Sequence, residues 1–198
     1  DLPVPKTVAL SFDAIKGIVS GKLPDLIDIL SNFDKKDTLC VRPSSESIDW
    51  GGPGAVLNIG MNDDRCLHLS KYIGEKAASE LYFRFIQAYS VSVARLDPDV
   101  FDHITGANGN SVSAALAAYK DEMDESFPQS IEHQLSEVLR SMARAWEGTS
   151  ARLLREAKGA PADAGLGLVI QKMAFGVGDG ESGSGVLQLV NSDTGQFQ

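Results

Sequence analysis

The sequence has few of the residues that hold disulfide-rich or metal-bound proteins together. It contains only two cysteines, Cys40 and Cys66, which are too few for a disulfide framework or a zinc site with four thiolates. Its three histidines, His68, His103 and His133, follow no metal-ligand spacing. We therefore expect ordinary structural or surface roles for the histidines, and a small core residue at Cys40.

Long apolar runs and an excess of positive charge are also missing. No apolar stretch approaches the roughly 20 residues that a membrane-spanning helix needs, and no signal peptide is recognisable. The formal net charge of -9 argues against a general surface for nucleic acid or anionic membranes. A cytoplasmic location is the default expectation. A nucleotide site, which needs only local positive charge, remains compatible with this composition.

The remaining features are those of a soluble globular protein with a substantial core. The chain has 198 residues, of which 43% are hydrophobic and 23% are charged. Residue periodicity predicts short strands followed by a helix-rich block and then further strands. One predicted strand ends at residue 10, and others cover 39–41, 168–175 and 186–191, the last two as a hairpin. Residues 55–59 form a further apolar segment. The predicted helices begin after Ser11 and Ser130 and cover 23–33, 76–94 and 111–125.

One stretch combines a short apolar run, a single arginine and a glycine-rich loop. Arg42 follows the predicted strand 39–41, and a polar loop rich in Gly and Pro runs on to residue 54. Glycines such as Gly51, Gly52 and Gly54 let main-chain N–H groups approach an anion, and an arginine adds bidentate, charge-assisted hydrogen bonds. The stretch therefore predicts a phosphate site. An ordinary surface loop with one arginine at a strand end is the alternative left open.

A second glycine run, over residues 176–185, does not indicate a P-loop. A Walker A sequence needs Gly-Lys-Ser/Thr followed by a helix. This run contains no such lysine and precedes a predicted strand. We expect it to be a long turn.

Several motifs share one resemblance, in order along nearly the whole chain. They are Val41-Arg42, Val56 to Asp63, Tyr82 to Tyr89, Phe127-Pro128-Gln129, and Gln171, Met173 and Thr194-Gly195 around the second glycine run. Together they resemble the nucleotide-binding domain of pyruvate phosphate dikinase and its relative phosphoenolpyruvate synthase. The resemblance implies an α+β fold of the ATP-grasp type. The helix-rich first subdomain would cover residues 1–157, and residues 158–198 would begin a second β subdomain.

The resemblance also implies a reaction and its partners. Members of this family transfer phosphate from ATP, with Mg²⁺, to a histidine on a separate carrier domain and then to pyruvate on a further domain. Nucleotide, carrier domain and pyruvate-binding domain are thus the expected partners, and a homodimer is compatible with them. Neither the carrier histidine nor the pyruvate-binding barrel lies in this chain, so no catalytic residue or metal ligand is assigned within it.

Carried over position by position, the resemblance names a set of ATP-binding residues. Arg42 would hold the phosphates, and Gly51, Gly52 and Gly54 would lie in the loop that covers them. Gln171, Lys172 and Met173 would line the adenine pocket. Gln196 stands where the family has a glutamate that contacts nucleotide or magnesium.

Three departures from the family pattern remove charge that phosphoryl transfer needs. Glu46 replaces a second arginine, Val190 replaces another, and Gln196 replaces a glutamate with a poorer Mg²⁺ ligand. A further family arginine aligns with Ser150, and Arg152 or Arg155 is a candidate substitute.

Two main functions remain open: the ATP-binding domain of a phosphotransferase, or a degenerate paralogue that serves as a nucleotide-binding or regulatory module. A structural domain that holds a neighbouring domain is a third. We expect the chain alone to be inactive, because it stops before a second subdomain is complete.

Overall fold

The computed structural model describes residues 3–104, 109–177, 181–191 and 194–197. Within these ranges the chain is α+β, as predicted, with seven α-helices and one four-stranded sheet. The strands are β1 (Thr7–Leu10), β2 (Leu39–Ser44), β3 (Val56–Ile59) and β4 (Gly167–Lys172). The helices are α1 (Phe12–Val19), α2 (Leu26–Ser31), α3 (Asp63–Ile73), α4 (Glu75–Ser92), α5 (Gly109–Met123), α6 (Ile131–Glu147) and α7 (Thr149–Ala157).

Helix starts follow the capping residues that the sequence presents. The Ser11 hydroxyl accepts a hydrogen bond from the N–H of Ala14 at 3.3 Å, and the Ser130 hydroxyl accepts one from His133 at 3.4 Å. Both predicted N-caps are confirmed. The helix predicted over 23–33 is shorter, because Asp25 caps it and helical residues begin only at Leu26.

The strand order is β1-β4-β2-β3, and every neighbouring pair is antiparallel. β4 therefore lies between two strands from the beginning of the chain. Thr7 and Cys40 both pair with Gln171, one from each side. This arrangement buries Leu168 and Ile170 completely.

The hairpin predicted between 168–175 and 186–191 stays a prediction, and the described strand pairs of β4 are with other strands. β4 pairs with β1 and β2, whereas residues 186–190 are exposed and the described part of 181–197 contributes only an isolated bridge between Val190 and Phe197. Adjacent β-patterned segments favour a hairpin on sequence alone, but pairing with β1 and β2 buries far more apolar surface. Residues 178–180 of the glycine run lie outside the described residues. The boundary between 157 and 158 stays a prediction.

The two faces of the sheet differ in what covers them. Side chains alternate along each strand, so directly paired residues share a face. The face buried against the helices carries Val8, Leu10, Leu39, Val41, Leu168 and Ile170. The opposite face carries Thr7, Ala9 and Arg42, which are exposed, and Val169 and Gln171, which are half-buried. We call this the open face; Cys40 is its buried exception, as expected of a small core residue.

The core lies between the sheet and helices α4, α5 and α6. The apolar residues that recur at helical spacing along α6 are buried from Leu135 to Trp146, and Phe85 and Tyr89 of α4 are buried as well. Ala88 of α4 is exposed. Phe127, between α5 and α6, is only 3% exposed and packs edge-on against aromatic rings of α4 and α5, with centroid distances of 5.2 to 6.3 Å.

Two glutamines connect the segment after β3 to the start of α6. The fully buried Gln134 accepts from the N–H of Gly60 at 2.7 Å and donates to the carbonyls of Met61 and Pro128 at 3.0 and 2.7 Å. Gln129 accepts from the N–H of Asp63 at 2.9 Å. The motif ending in Asp63 and the motif Phe127-Pro128-Gln129 are therefore held to one another.

Candidate functional site

Arg42 lies on the open face of the sheet and is exposed. It is paired in register with Val169 of β4. It lies within β2 and not at the end of that strand, because β2 continues to Ser44. Its guanidinium makes no hydrogen bond or ion pair with any described residue, whereas Arg84, Arg140 and Lys172 are each paired with a carboxylate. All five of its N–H donors thus remain available to an external anion.

The glycine loop packs against helices α6 and α7. Gly51 has a φ of 68°, which favours glycine, and a Cβ there would lie 2.5 Å from the end of the Leu154 side chain. A Cβ on Gly52 would lie 3.7 Å from the Trp146 ring and 3.9 Å from Cβ of Pro43, the neighbour of Arg42.

The main-chain N–H groups of this loop are free. Those of Gly51, Gly52 and Gly54 have no acceptor among the described residues. Successive free N–H groups can form a concavity that holds an anion. Gly52 packs against Pro43 and Trp146 on the face of the sheet that the helices cover, whereas the Arg42 side chain lies on the open face. A phosphate site shared by Arg42 and the glycine loop stays a prediction.

Hydrogen bonds to neighbouring segments already occupy most polar groups at the end of β4. The N–H groups of Lys172 and Met173 donate to the carbonyls of Lys6 and Thr38 at 2.9 and 2.8 Å. The Gln171 amide donates to the Thr7 hydroxyl at 2.8 Å. The carbonyl of Met173 and the N–H of Ala174 are the first main-chain groups without a partner in the described chain. The adenine-lining role of 171–173 stays a prediction, and these two groups are where it would act.

The Lys172 side chain serves a structural contact. Its ammonium lies 2.7 Å from Oδ1 of Asp37, a carboxylate that is only 8% exposed and also accepts from the N–H of Asp34. The hydrogen bond with Asp37 raises the pKa of Lys172. The ion pair thus ties the end of β4 to the turn that precedes β2.

Breaking this ion pair should weaken the fold modestly. We expect Asp37→Asn to lower the free energy of unfolding by about 1–2 kcal/mol at neutral pH, because Lys172 is partly solvated. The stabilisation is present below the pKa of an unfolded lysine and is lost as pH rises through the raised pKa of Lys172. Urea unfolding from pH 7 to 11 should show the two proteins converging at high pH. Asp121→Asn, on an exposed position of α5, is the control and should match the wild type throughout.

Arg155, a candidate replacement for a lost phosphate contact, has a different role. It is 8% exposed, its Nη1 donates to the Trp146 carbonyl at 2.8 Å, and its guanidinium carbon lies 3.9 Å from the Trp146 ring centroid. It therefore satisfies a carbonyl at the end of α6 and stacks on that helix. Arg152 is exposed and lines a separate cavity, described below.

The remaining predicted positions lie apart from Arg42. Val190 is bridged to Phe197, and the exposed Gln196 accepts from the N–H of Asn191 at 2.8 Å. Neither has a contact with Arg42 or the glycine loop in the described chain. Glu46 is exposed in the loop after β2.

The residues present do not by themselves form a magnesium site. No group of three or more His, Cys, Asp or Glu side chains comes together within the described ranges. Gln196 supplies a neutral amide oxygen where a carboxylate would bind a hard cation better. Separately, none of the helices described here combines the length and hydropathy of a membrane span.

Sequence comparison places the chain among known proteins. It is 30% identical over 184 residues to pyruvate, phosphate dikinase of Clostridium symbiosum, covering 82% of this chain and 21% of that protein. It is 30% identical over 176 residues to the enzyme of the same name from Rhizobium meliloti (strain 1021), covering 80% and 20%. The chloroplastic protein of Mesembryanthemum crystallinum is 27% identical over 189 residues, covering 87% and 20%.

This chain is a divergent relative of pyruvate, phosphate dikinase. It spans about a fifth of the length of the relatives it matches. No protein-family model matches it. Two of the motifs shared with dikinases have structural roles in this chain. Tyr82 to Tyr89 supplies aromatic residues of the core, and Phe127-Pro128-Gln129 is hydrogen-bonded to the segment after β3.

Sequence reasoning missed the role of Gln134, although one signal was available. An amide side chain lies next to Leu135 and four residues before Val138, on the apolar face of an amphipathic helix. A polar residue at such a position is buried only if it is hydrogen-bonded. Its partners near Gly60 are 74 residues away in sequence, and no local pattern identifies them.

Proposed function

We propose that this chain is the ATP-binding part of a pyruvate, phosphate dikinase-like phosphotransferase with an ATP-grasp architecture. The observation that supports the proposal is the unpaired Arg42 on the open face of the sheet; the free N–H groups of the glycine loop, which is close in sequence, add to it. The kinship with dikinases supports a nucleotide over other phosphate-bearing ligands.

Arg42, the three loop glycines and Met173 would each have a binding task. Arg42 would take two phosphate oxygens in a bidentate contact, and the N–H groups of Gly51, Gly52 and Gly54 would surround a neighbouring phosphate. The adenine edge would meet the carbonyl of Met173 and the N–H of Ala174. The open face would form one wall of the site, and a second β subdomain beyond it would form the other.

The chain's own contribution would be binding and orientation. Phosphoryl transfer depends chiefly on positioning and on cations that neutralise the moving group. Magnesium, when bound with the nucleotide, would supply part of that positive charge through the phosphate oxygens. Transfer to a carrier histidine and then to pyruvate would take place with other domains of a longer protein.

The alternative is a degenerate module that binds nucleotide without transferring phosphate. Glu46 favours it, because a carboxylate in the loop after Arg42 repels the phosphates that an arginine would attract. The structural use of Arg155 also favours it, because that cation is already committed to Trp146.

Calorimetric titration of Mg-ATP into the full-length protein tests the proposal. We expect saturable binding that Arg42→Gln weakens about 10- to 100-fold, because one charge-assisted contact contributes roughly 1.5–3 kcal/mol. Arg144→Gln, which removes an exposed arginine of α6, is the charge-matched control and should bind like the wild type. Absence of ATP binding by the wild type, or equal loss in both variants, contradicts a nucleotide site at Arg42.

A phosphate-transfer assay distinguishes the phosphotransferase from the degenerate nucleotide-binding module. The dikinase proposal predicts transfer of the labelled terminal phosphates of ATP to the carrier domain, and faster transfer after Glu46→Gln. ATP binding without detectable transfer in either protein supports the degenerate module instead.

A further inference from the structure

A second polar cavity lies on the other side of α7 from the glycine loop. It has a volume of about 420 Å³ and is bordered by α1, by α6 and α7, and by residues 162–164. Its charged lining consists of Lys16, Glu147, Arg152, Arg155 and Asp163. Successive helical residues are about 100° apart. Leu154 of α7 faces Gly51 of the glycine loop, so Arg152 and Arg155, which lie on other sides of the same helix, project away from the loop.

Arg155 provides a fixed guanidinium in the wall of this cavity. It is only 8% exposed, and the contact with Trp146 fixes both the position and the plane of the guanidinium. Only Nη1 has an acceptor among the described residues, so the other N–H donors are unused. A rigid guanidinium with free donors is well suited to a planar or tetrahedral oxyanion.

Lys16 and Arg152 add two unpaired cations to the same cavity. Neither lies within ion-pair distance of a carboxylate in the described chain, although Glu147 and Asp163 line the same space. Burial lowers the pKa of Arg155, the carboxylates of Glu147 and Glu156 raise it, and Arg152 lowers it. Three cations therefore face two carboxylates without neutralising contacts, in a protein whose formal net charge is -9.

We infer that this cavity binds a dianionic oxyanion of the phosphate type, held by Arg155 and neutralised by Lys16 and Arg152. The inference is independent of nucleotide binding at Arg42. A tetrahedral oxyanion satisfies the unused guanidinium donors and relieves the repulsion between the two arginines. The volume exceeds that of one phosphate, so either inorganic phosphate or the phosphate group of a larger molecule fits the same chemistry.

Calorimetric titration of inorganic phosphate into the full-length protein, with ionic strength held constant by potassium chloride, tests the inference. We expect saturable binding that Lys16→Gln and Arg152→Gln each weaken about tenfold or more. Arg144→Gln removes the same charge from α6 outside the cavity and should leave the affinity unchanged. Arg155 is not replaced, because it supports α6; circular dichroism confirms that each variant is folded.

Neutralising either carboxylate of the cavity should change the phosphate affinity in the opposite direction. Glu147→Gln and Asp163→Asn should each raise phosphate affinity several-fold, because a like charge is withdrawn from the anion. A merely structural role for these residues predicts no gain.

A third arm identifies the source of the anion. Mg-ATP that competes with phosphate in the wild type but not in Arg152→Gln indicates the phosphate group of a nucleotide. Phosphate binding that is unaffected by Mg-ATP indicates inorganic phosphate or another phosphorylated molecule. The inference is overturned if phosphate gives no saturable binding, if Arg144→Gln weakens it as much as Arg152→Gln, or if only Arg42→Gln abolishes it.

Discussion

Replacing Phe127 by alanine is expected to lower the free energy of unfolding by about 3–5 kcal/mol. The ring is 3% exposed and lies among Tyr82, Phe85, Tyr89 and Tyr119, so its removal leaves a cavity that α4 and α5 cannot both close. The edge-on geometry adds aromatic interaction beyond buried area. Urea unfolding followed by circular dichroism measures the loss.

The matched control for this substitution is Phe197→Ala. Phe197 is 86% exposed, and its removal should change the free energy of unfolding by less than about 0.5 kcal/mol. Phe127→Leu should fall between the two, because it keeps most of the volume and loses the ring contacts. A loss below about 1 kcal/mol for Phe127→Ala would mean that these rings do not form one packed cluster.

Replacing Gln134 by leucine should cost about 3–5 kcal/mol, although leucine suits a buried helix position. The substitution leaves the Gly60 N–H and the Met61 carbonyl buried without partners and the half-buried Pro128 carbonyl unpaired, and each buried orphaned group costs roughly 1–3 kcal/mol. Thermal and urea unfolding measure the effect. Gln188→Leu, on an exposed segment, is the control and should be near neutral.

Gln134→Glu tests the direction of the hydrogen bonds. The new carboxylate keeps an acceptor for Gly60 but faces two carbonyl oxygens, which raises its pKa in the folded state. A folded-state pKa above the unfolded value means that stability is greatest at low pH and falls as pH rises through the folded pKa. This variant should therefore regain stability, relative to the wild type, below about pH 5. A pH-independent difference would contradict the donor role of the amide.

Local features of the fold were predictable from sequence, and features set by distant contacts were not. Ser11 and Ser130 start helices because a cap satisfies N–H groups three residues away. The apolar repeat from Leu135 to Trp146 identified its buried face because the helical period fixes it. By contrast, the partner of β4 depends on which exposed strand edges are available, and those edges come from residues 7–10 and 39–44.

The same distinction applies to the candidate site. Arg42 and the glycine loop are close in sequence, but pairing with Val169 places the Arg42 side chain on the open face, whereas Gly52 packs against Pro43 and Trp146 on the other face. The role of Arg155 depends on Trp146 lying beneath it across the break between α6 and α7, a contact that spacing alone does not reveal. The charged cavity joins α1 to residues more than 130 positions later, so its cations appear unrelated in the sequence.

The position of β4 constrains how the protein can be made. Thr7 and Gln171, joined by a side-chain hydrogen bond, are 164 residues apart, so a nascent chain emerges from the ribosome with β1 and β2 complete and their shared partner still unsynthesised. Until Gly167–Lys172 appears, both strands present unpaired edges that can recruit another chain. Products of premature termination before Gly167 should therefore aggregate or require a chaperone, and folding should be slow for a protein so rich in helix.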